Sequence, residues 1–218
     1  MAIARDNSTT IVNPASGSNN PFTTAGTNRY LFVNVLDQNS STSSVTYGGV
    51  SMSLLVSLNS SNISAGETCY FYGLANPASG SNNLVVTYTG ANTIILDASS
   101  YTGAQQTTPI EASNTHSGNT ASESASVTTL TDNDWLVGFA RAATTITAGS
   151  NTSLVTNNSS RDFIDTNAAQ TPAGTHSMSF TSSGPNNNTA ITVAALKPFA
   201  AAVASSLVHN LGLLGVGQ

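Results

Sequence analysis

Apolar and polar residues along this chain alternate in short runs. In ITVAAL, Ile191, Val193 and Ala195 fall on one face of an extended segment. In DWLVGFAR, Trp135, Val137 and Phe139 do the same. Runs rich in β-branched and aromatic residues occupy 29–37, 44–47, 50–58, 68–74, 84–89 and 93–97. More follow at 124–130, 134–142, 153–156, 162–165, 176–181 and 190–196. Gly, Asn, Ser or Pro bound most of them, the residues that end strands. No helical period precedes residue 199. The pattern predicts an all-β chain folded as an antiparallel β-sandwich, of the jelly-roll type.

Between the runs lie two long polar stretches, 105–123 and 149–161, which read as loops. The octapeptide NPASGSNN occurs twice, at 13–20 and at 76–83. Its proline fixes φ, its glycine accepts positive φ, and its Asn and Ser bond to nearby backbone. Each copy is therefore predicted to reverse the chain at a strand exit. The first follows TTIVN, a short β-like run, so residues 1–28 read as an N-terminal arm or first strand. Residues 29–198 form the predicted sandwich domain.

Residues 199–218 differ in composition. Val203, Leu207 and Leu211 are spaced as one face of a short helix. With Phe199 and Leu214 they are the candidate residues of an assembly arm. An apolar tail beyond a closed sandwich must cover its own domain or a neighbouring subunit. Both remain open at this level.

Composition narrows the functions. Hydrophobic residues make up 39% of 218 and charged residues only 7%, so the surface is expected to be polar but uncharged. The 5 basic residues are scattered among 10 acidic ones, which argues against nucleic acid as a partner. The start, MAIARDNSTTIVN, lacks the apolar core of a secretory signal. No stretch reads as a transmembrane helix, and a membrane partner is not expected.

Conventional chemistry is sparse. His116, His176 and His209 have no second His or Cys at ligand spacing. HExxH, GxSxG, CxxC and phosphate-cradling motifs are missing. Asp132 and Asp134 are two apart, but Trp135 and a strand follow at once, which suits polar turns better than a calcium loop. Asp162 and Asp165, or Glu111 and Glu123, could serve a glycosidase only if the fold set them across a cleft. The single cysteine, Cys69, sits among aromatics and reads as a buried, inert thiol. No catalytic, metal or cofactor residue is expected, and the protein is read as a non-enzyme. Tyr70, Phe71 and Tyr72 alternate faces of one strand, so Tyr72, with Trp135, is a candidate glycan-stacking aromatic.

One stretch resembles a known module. YFYGLANPASGSNNLVVTYTG is followed by a strand that ends in Tyr101-Thr102-Gly103-Ala104-Gln105-Gln106-Thr107-Thr108-Pro109. This is similar to a β-sandwich module of tailed-phage structural proteins and environmental bacterial surface proteins. VTYGGVSMSLL, NDWLVGFA and TVAALKP extend the resemblance over about residues 29–198. It implies a jelly-roll or concanavalin-like sandwich used for assembly, decoration or adhesion, with no catalytic residues to carry over. The expected role is a virion structural protein, a capsid decoration (cement) or fibre component. Its partners would be copies of itself, as a trimer for example, and other virion proteins. A carbohydrate-binding module is the first alternative. An extracellular filament subunit that donates the strand at 9–13 to its neighbour is the second.

Overall fold

The two central sheets of this protein bury both of their faces, and the longest apolar runs supply their inner strands. The computed structural model describes residues 1–200 apart from 40, 60–65, 91–92, 157 and 185–187. Val203, Leu207, Leu211 and Leu214 lie outside the described residues. Among those described the chain is all-β, and every sheet is antiparallel.

The first half contains β1 (Ala4–Val12), β2 (Asn20–Thr24), β3 (Tyr30–Gln38), β4 (Ser41–Tyr47), β5 (Val50–Ser51), β6 (Ser53–Asn59), β7 (Glu67–Ala75), β8 (Gly80–Thr89) and β9 (Ile94–Thr102). The second half contains β10 (Ile110–Gly118), β11 (Ser122–Thr128), β12 (Trp135–Arg141), β13 (Ile146–Ala148), β14 (Ser153–Leu154), β15 (Arg161–Asp165), β16 (Thr175–Ser182) and β17 (Thr189–Leu196). Sheet I has the order β1-β9-β3-β7-β6, and sheet II the order β2-β8-β4-β5. Sheet III runs β10-β17-β12-β15-β14, and sheet IV runs β11-β16-β13. No sheet mixes strands from the two halves. The sandwich expected over 29–198 is thus laid out as two sheet pairs that meet near residues 103–109, and residues 1–28 supply strands to the first pair.

The halves repeat one plan. Replacing β10, β17, β12, β15 and β14 by β1, β9, β3, β7 and β6 turns the order of sheet III into that of sheet I. The same correspondence sets β11-β16-β13 against β2-β8-β4. Only β5 lacks a counterpart among the described strands. Sequence reading missed the repeat because the halves share the order of their strands rather than matched residues.

Alternation within strands builds a four-layer stack in the order II, I, III, IV. On β3, Leu31, Val33 and Val35 pack with Val45, Tyr47, Leu84 and Val86 in the core between sheets I and II. Phe32 and Tyr30, on the opposite face, pack with Phe71, Tyr101, Val137, Phe163 and Leu196 between sheets I and III. Leu36, Cys69, Ile95 and Phe139 continue that middle layer. Leu136, Ala140, Ile164, Ile191, Val193 and Ala195 meet Val127, Met178 and Phe180 between sheets III and IV. A strand covered on both faces needs no polar side, which is why β3 and β17 read as near-continuous apolar runs.

The stretch 105–123, expected as a loop, contains β10 and the start of β11. β10 is an outer strand whose residues are half-buried or exposed, so its sequence IEASNTHSG carries little apolar alternation. The stretch 149–161 contains β14, which falls within the run expected at 153–156, whereas β13 is too short to show a period. Of residues 9–13, considered as a donated strand, Thr9 to Val12 belong to β1 and pair with β9 of the same chain.

Both octapeptides do one job. The first carries the chain from β1 in sheet I to β2 in sheet II, and the second from β7 in sheet I to β8 in sheet II. Asn13 and Asn76 take φ of 51° and 49°, and Gly17 and Gly80 take 75° and 86°. These are left-handed conformations that Asn tolerates and Gly adopts freely. Each Asn then anchors to the start of the next strand in the sheet. The Asn13 N–H donates to the Ile94 carbonyl at 2.8 Å, and the Asn76 N–H to that of Arg29 at 2.9 Å. Three antiparallel steps separate β1 from β7, so the copies start at opposite ends of sheet I, while their last residues come together, with Asn20 paired to Leu84 and with Asn19 and Asn83 lining one cleft.

The middle layer makes a direct prediction. Phe71 is fully buried, with its ring 5.2 Å from Phe32 and 5.9 Å from Phe163 across the seam. Phe71→Ala should cost about 3–5 kcal/mol of stability, as cavities under large core aromatics do. Urea unfolding of the full chain measures it.

Candidate functional site

Charge is rare in this chain, and the fold concentrates it at the seam between sheets I and III. Among the described residues, three of the five basic side chains make ion pairs that cross it. Glu67 at the start of β7 receives Arg141 Nη2 at 2.6 Å and Arg161 Nη2 at 3.2 Å. Glu67 and Arg141 are both buried, so these charges hold each other in place of water. Arg141 Nη1 also donates to the Asn188 carbonyl at 2.6 Å. On the other flank, Arg5 of β1 reaches Asp165 of β15 at 3.3 Å, and the Tyr101 hydroxyl donates to the same carboxylate at 3.0 Å.

Burial dominates the titration of these groups. It raises Asp165, against the pull of Arg5 and Tyr101. It pushes the Cys69 thiol up to about 12, with Glu67 adding to the shift. It pushes Asp97 up to about 7, with the nearby Asp162 carboxyl adding to the effect and the Thr10 hydroxyl opposing it. Asp97 faces the seam beside Asn34, its register partner on β3. A thiol held protonated and closed off from solvent is no nucleophile.

Glu123, Asp132 and Glu111 also have partners. Glu123 of β11 contacts His116 of β10 through one oxygen and accepts the Thr189 hydroxyl at 2.7 Å through the other. Asp132 accepts the Ala173 N–H at 2.6 Å in an exposed turn, while Asp134 turns inward and is fully buried. The two carboxylates therefore point to different environments. Glu111 accepts the N–H groups of Leu130 and Thr131 at 2.5 and 3.2 Å. Glu111 and Glu123 sit on strands rather than in a loop. Among the described residues no three metal-ligating side chains cluster.

The candidate aromatics are placed differently from a stacking platform. Tyr72 is 6% exposed and belongs to the core between sheets I and II. Its ring lies 6.5 Å from that of the half-buried Tyr70. Trp135 is half-buried against the middle layer between sheets I and III. The fold does not bring Tyr72 and Trp135 together.

Of the assembly-arm candidates, Phe199 is described. Its N–H donates to the Gly103 carbonyl at 2.7 Å, and its own carbonyl accepts the N-terminal ammonium of Met1 at 2.9 Å. Beside it opens a cleft of about 420 Å³, lined by Met1, Thr131, Asn133, Ala169, Pro198 and Phe199 among others. Met1 and Leu130 are 64% and 81% exposed. The start of the chain, the connection before β12 and the exit of β17 thus converge on one mostly apolar corner. Sequence reading named Phe199 but had no signal for its neighbours, which come from residues 131 and 169.

Two outcomes test the seam. Glu67→Ala leaves Arg141 buried and unpaired and should cost about 3–5 kcal/mol in urea unfolding, with Glu67→Gln costing less. Asp97 binds its proton more tightly folded than unfolded, so its contribution to stability falls as pH rises from about 4 to about 7. Asp97→Asn should therefore gain on the parent chain across that window in thermal melts, and parallel melting curves would contradict it. Comparison with protein-family models, curated proteins and solved structures finds no match to this chain.

Proposed function

We propose that this chain is a non-enzymatic structural protein that works through contacts between copies of itself, as a capsid decoration or fibre component of a tailed-phage particle. The observation that carries the reading is the corner at Phe199. There the last described strand has ended, and the sequence continues with an apolar segment from residues that line a mostly apolar cleft. A segment of that composition is suited to cover apolar surface, and a neighbouring subunit offers the same cleft by symmetry.

The internal chemistry supports a structural role. Two buried acids, Glu67 and Asp165, are matched to bases and a hydroxyl across the seam and hold sheets together. The strand order supports the jelly-roll reading. β1-β9-β3-β7 faces β2-β8-β4-β5, an arrangement that two interleaved Greek keys produce. The resemblance of residues 29–198 to phage structural modules supplies the virion assignment, with a bacterial cell surface as the other setting for such modules.

Light scattering tests the assembly reading. Full-length protein should form a discrete oligomer, such as a trimer, and a chain ending at Ala200 should lose it while keeping its β-sheet circular dichroism. A full-length chain that stays monomeric at high concentration overturns the proposal.

A further inference from the structure

On sheet II the two octapeptides run together. Asn20, the last residue of the first copy, is paired with Leu84, which directly follows the second. The strands are antiparallel, so the copies reach one place from opposite directions. A cleft of about 360 Å³ opens there, lined by Asn19, Thr46, Gly48, Gly49 and Asn83 among others. Leu84 and Val86 point into the core, so Asn83 and Val85 point out of sheet II, away from sheet I. The turn between β4 and β5 forms one wall. Gly48 and Gly49 take φ of 56° and 79°, as a two-residue hairpin requires, and the Gly48 N–H donates to the Asn83 carbonyl at 2.9 Å.

Each copy ends in two asparagines, and the two have different work. The Asn20 amide donates to the carbonyls of Ser18 and Leu84 at 3.0 and 3.1 Å. The Asn82 amide nitrogen lies 3.3 Å from the carbonyls of Ala78, Ser79 and Gly80. Those two side chains hold the turns. The side-chain amides of Asn19 and Asn83 are exposed, and among the described residues neither has a partner. The hydroxyls of Thr46 and Ser81, which also line the cleft, have none either.

We propose that this cleft binds a neutral oligosaccharide. Each free amide offers a donor and an acceptor in one plane, which suits the neighbouring hydroxyls of a sugar. Val85 supplies an apolar patch for the C–H face of a ring. Other ligand classes fit poorly. β2, β4, β5 and β8 contain no Asp, Glu, Lys, Arg or His, so neither an anion nor a cation finds a counter-charge. An apolar ligand finds only the Val85 side chain. The cleft volume lies in the range of small-molecule sites, roughly 300–1,000 Å³. The word-for-word repeat then has a second consequence beyond its turns, since it delivers an unused amide to the cleft from each side. The cleft shares no lining residue with the one at Phe199, so a variant here leaves assembly intact.

No aromatic ring lines the cleft, so single-site binding is weak and needs a sensitive readout. Full-length protein is screened on an array of neutral, sialylated and sulfated glycans, and titrated in parallel with maltose, cellobiose, lactose and chitobiose by NMR of the isotope-labelled chain. At least one neutral glycan should give saturable shifts at the side-chain amides of Asn19 and Asn83 and at the Gly48 and Gly49 backbone. Asn19→Ala and Asn83→Ala should each weaken binding about fivefold, the worth of one hydrogen bond, while keeping the dispersed amide spectrum of the parent. Ser124→Ala, on sheet IV, should leave it unchanged. A silent array with no saturable shift overturns the proposal. So does binding of charged glycans alone, or binding that both asparagine variants retain in full.

Discussion

The contact between sheets I and III is the constraint on which the rest of the molecule depends. Each of these sheets is covered on its other side by a smaller sheet. Without the middle layer, Phe32, Phe71 and Tyr101 of one half and Phe139, Phe163 and Leu196 of the other would face water. The middle layer is therefore what makes two sheet pairs into one body. Its aromatic members dominate because each buries a large area, and packed rings add to that burial.

The same layer explains how a chain with so little charge uses it. A seam made only of apolar side chains slides easily, since dispersion and burial have little direction. Glu67 with Arg141 and Arg161, and Arg5 with Asp165 and Tyr101, fix the lateral position of one half on the other. These pairs carry a desolvation cost, so their contribution lies in alignment more than in net stability. Asp97, with its raised titration, shows that cost where no base compensates it fully.

The repeated octapeptide belongs to this architecture. Both copies solve one geometric problem, the step from sheet I to sheet II, starting from opposite ends of sheet I. Positive φ values within a few degrees at Asn13 and Asn76, and similar ones at Gly17 and Gly80, follow from similar demands. At a larger scale the two halves use the same strand order with dissimilar residues. Local words are conserved where the backbone is forced into left-handed angles. Strand sequences diverge because many apolar residues fill a sheet equally well.

The sequence alone determined the all-β class and the inner strands. β3, β7, β12 and β17 are buried on both faces or nearly so, and their apolar runs are strong local signals. It also determined the octapeptide turns, since Pro, Gly and Asn act on the backbone without help from distant residues. Outer strands such as β10 escaped it, because a strand half open to solvent can be built from Ser, Thr and Asn. Sequence could not place Tyr72 in a core or separate Asp132 from Asp134, because exposure is a property of what packs nearby. Only the tertiary structure decided that the sheets stack four deep, that Glu67 meets Arg141, and that Lys197 meets Glu111. Those contacts join residues far apart along the chain, and their meeting is set by strand order and register, which no local pattern encodes.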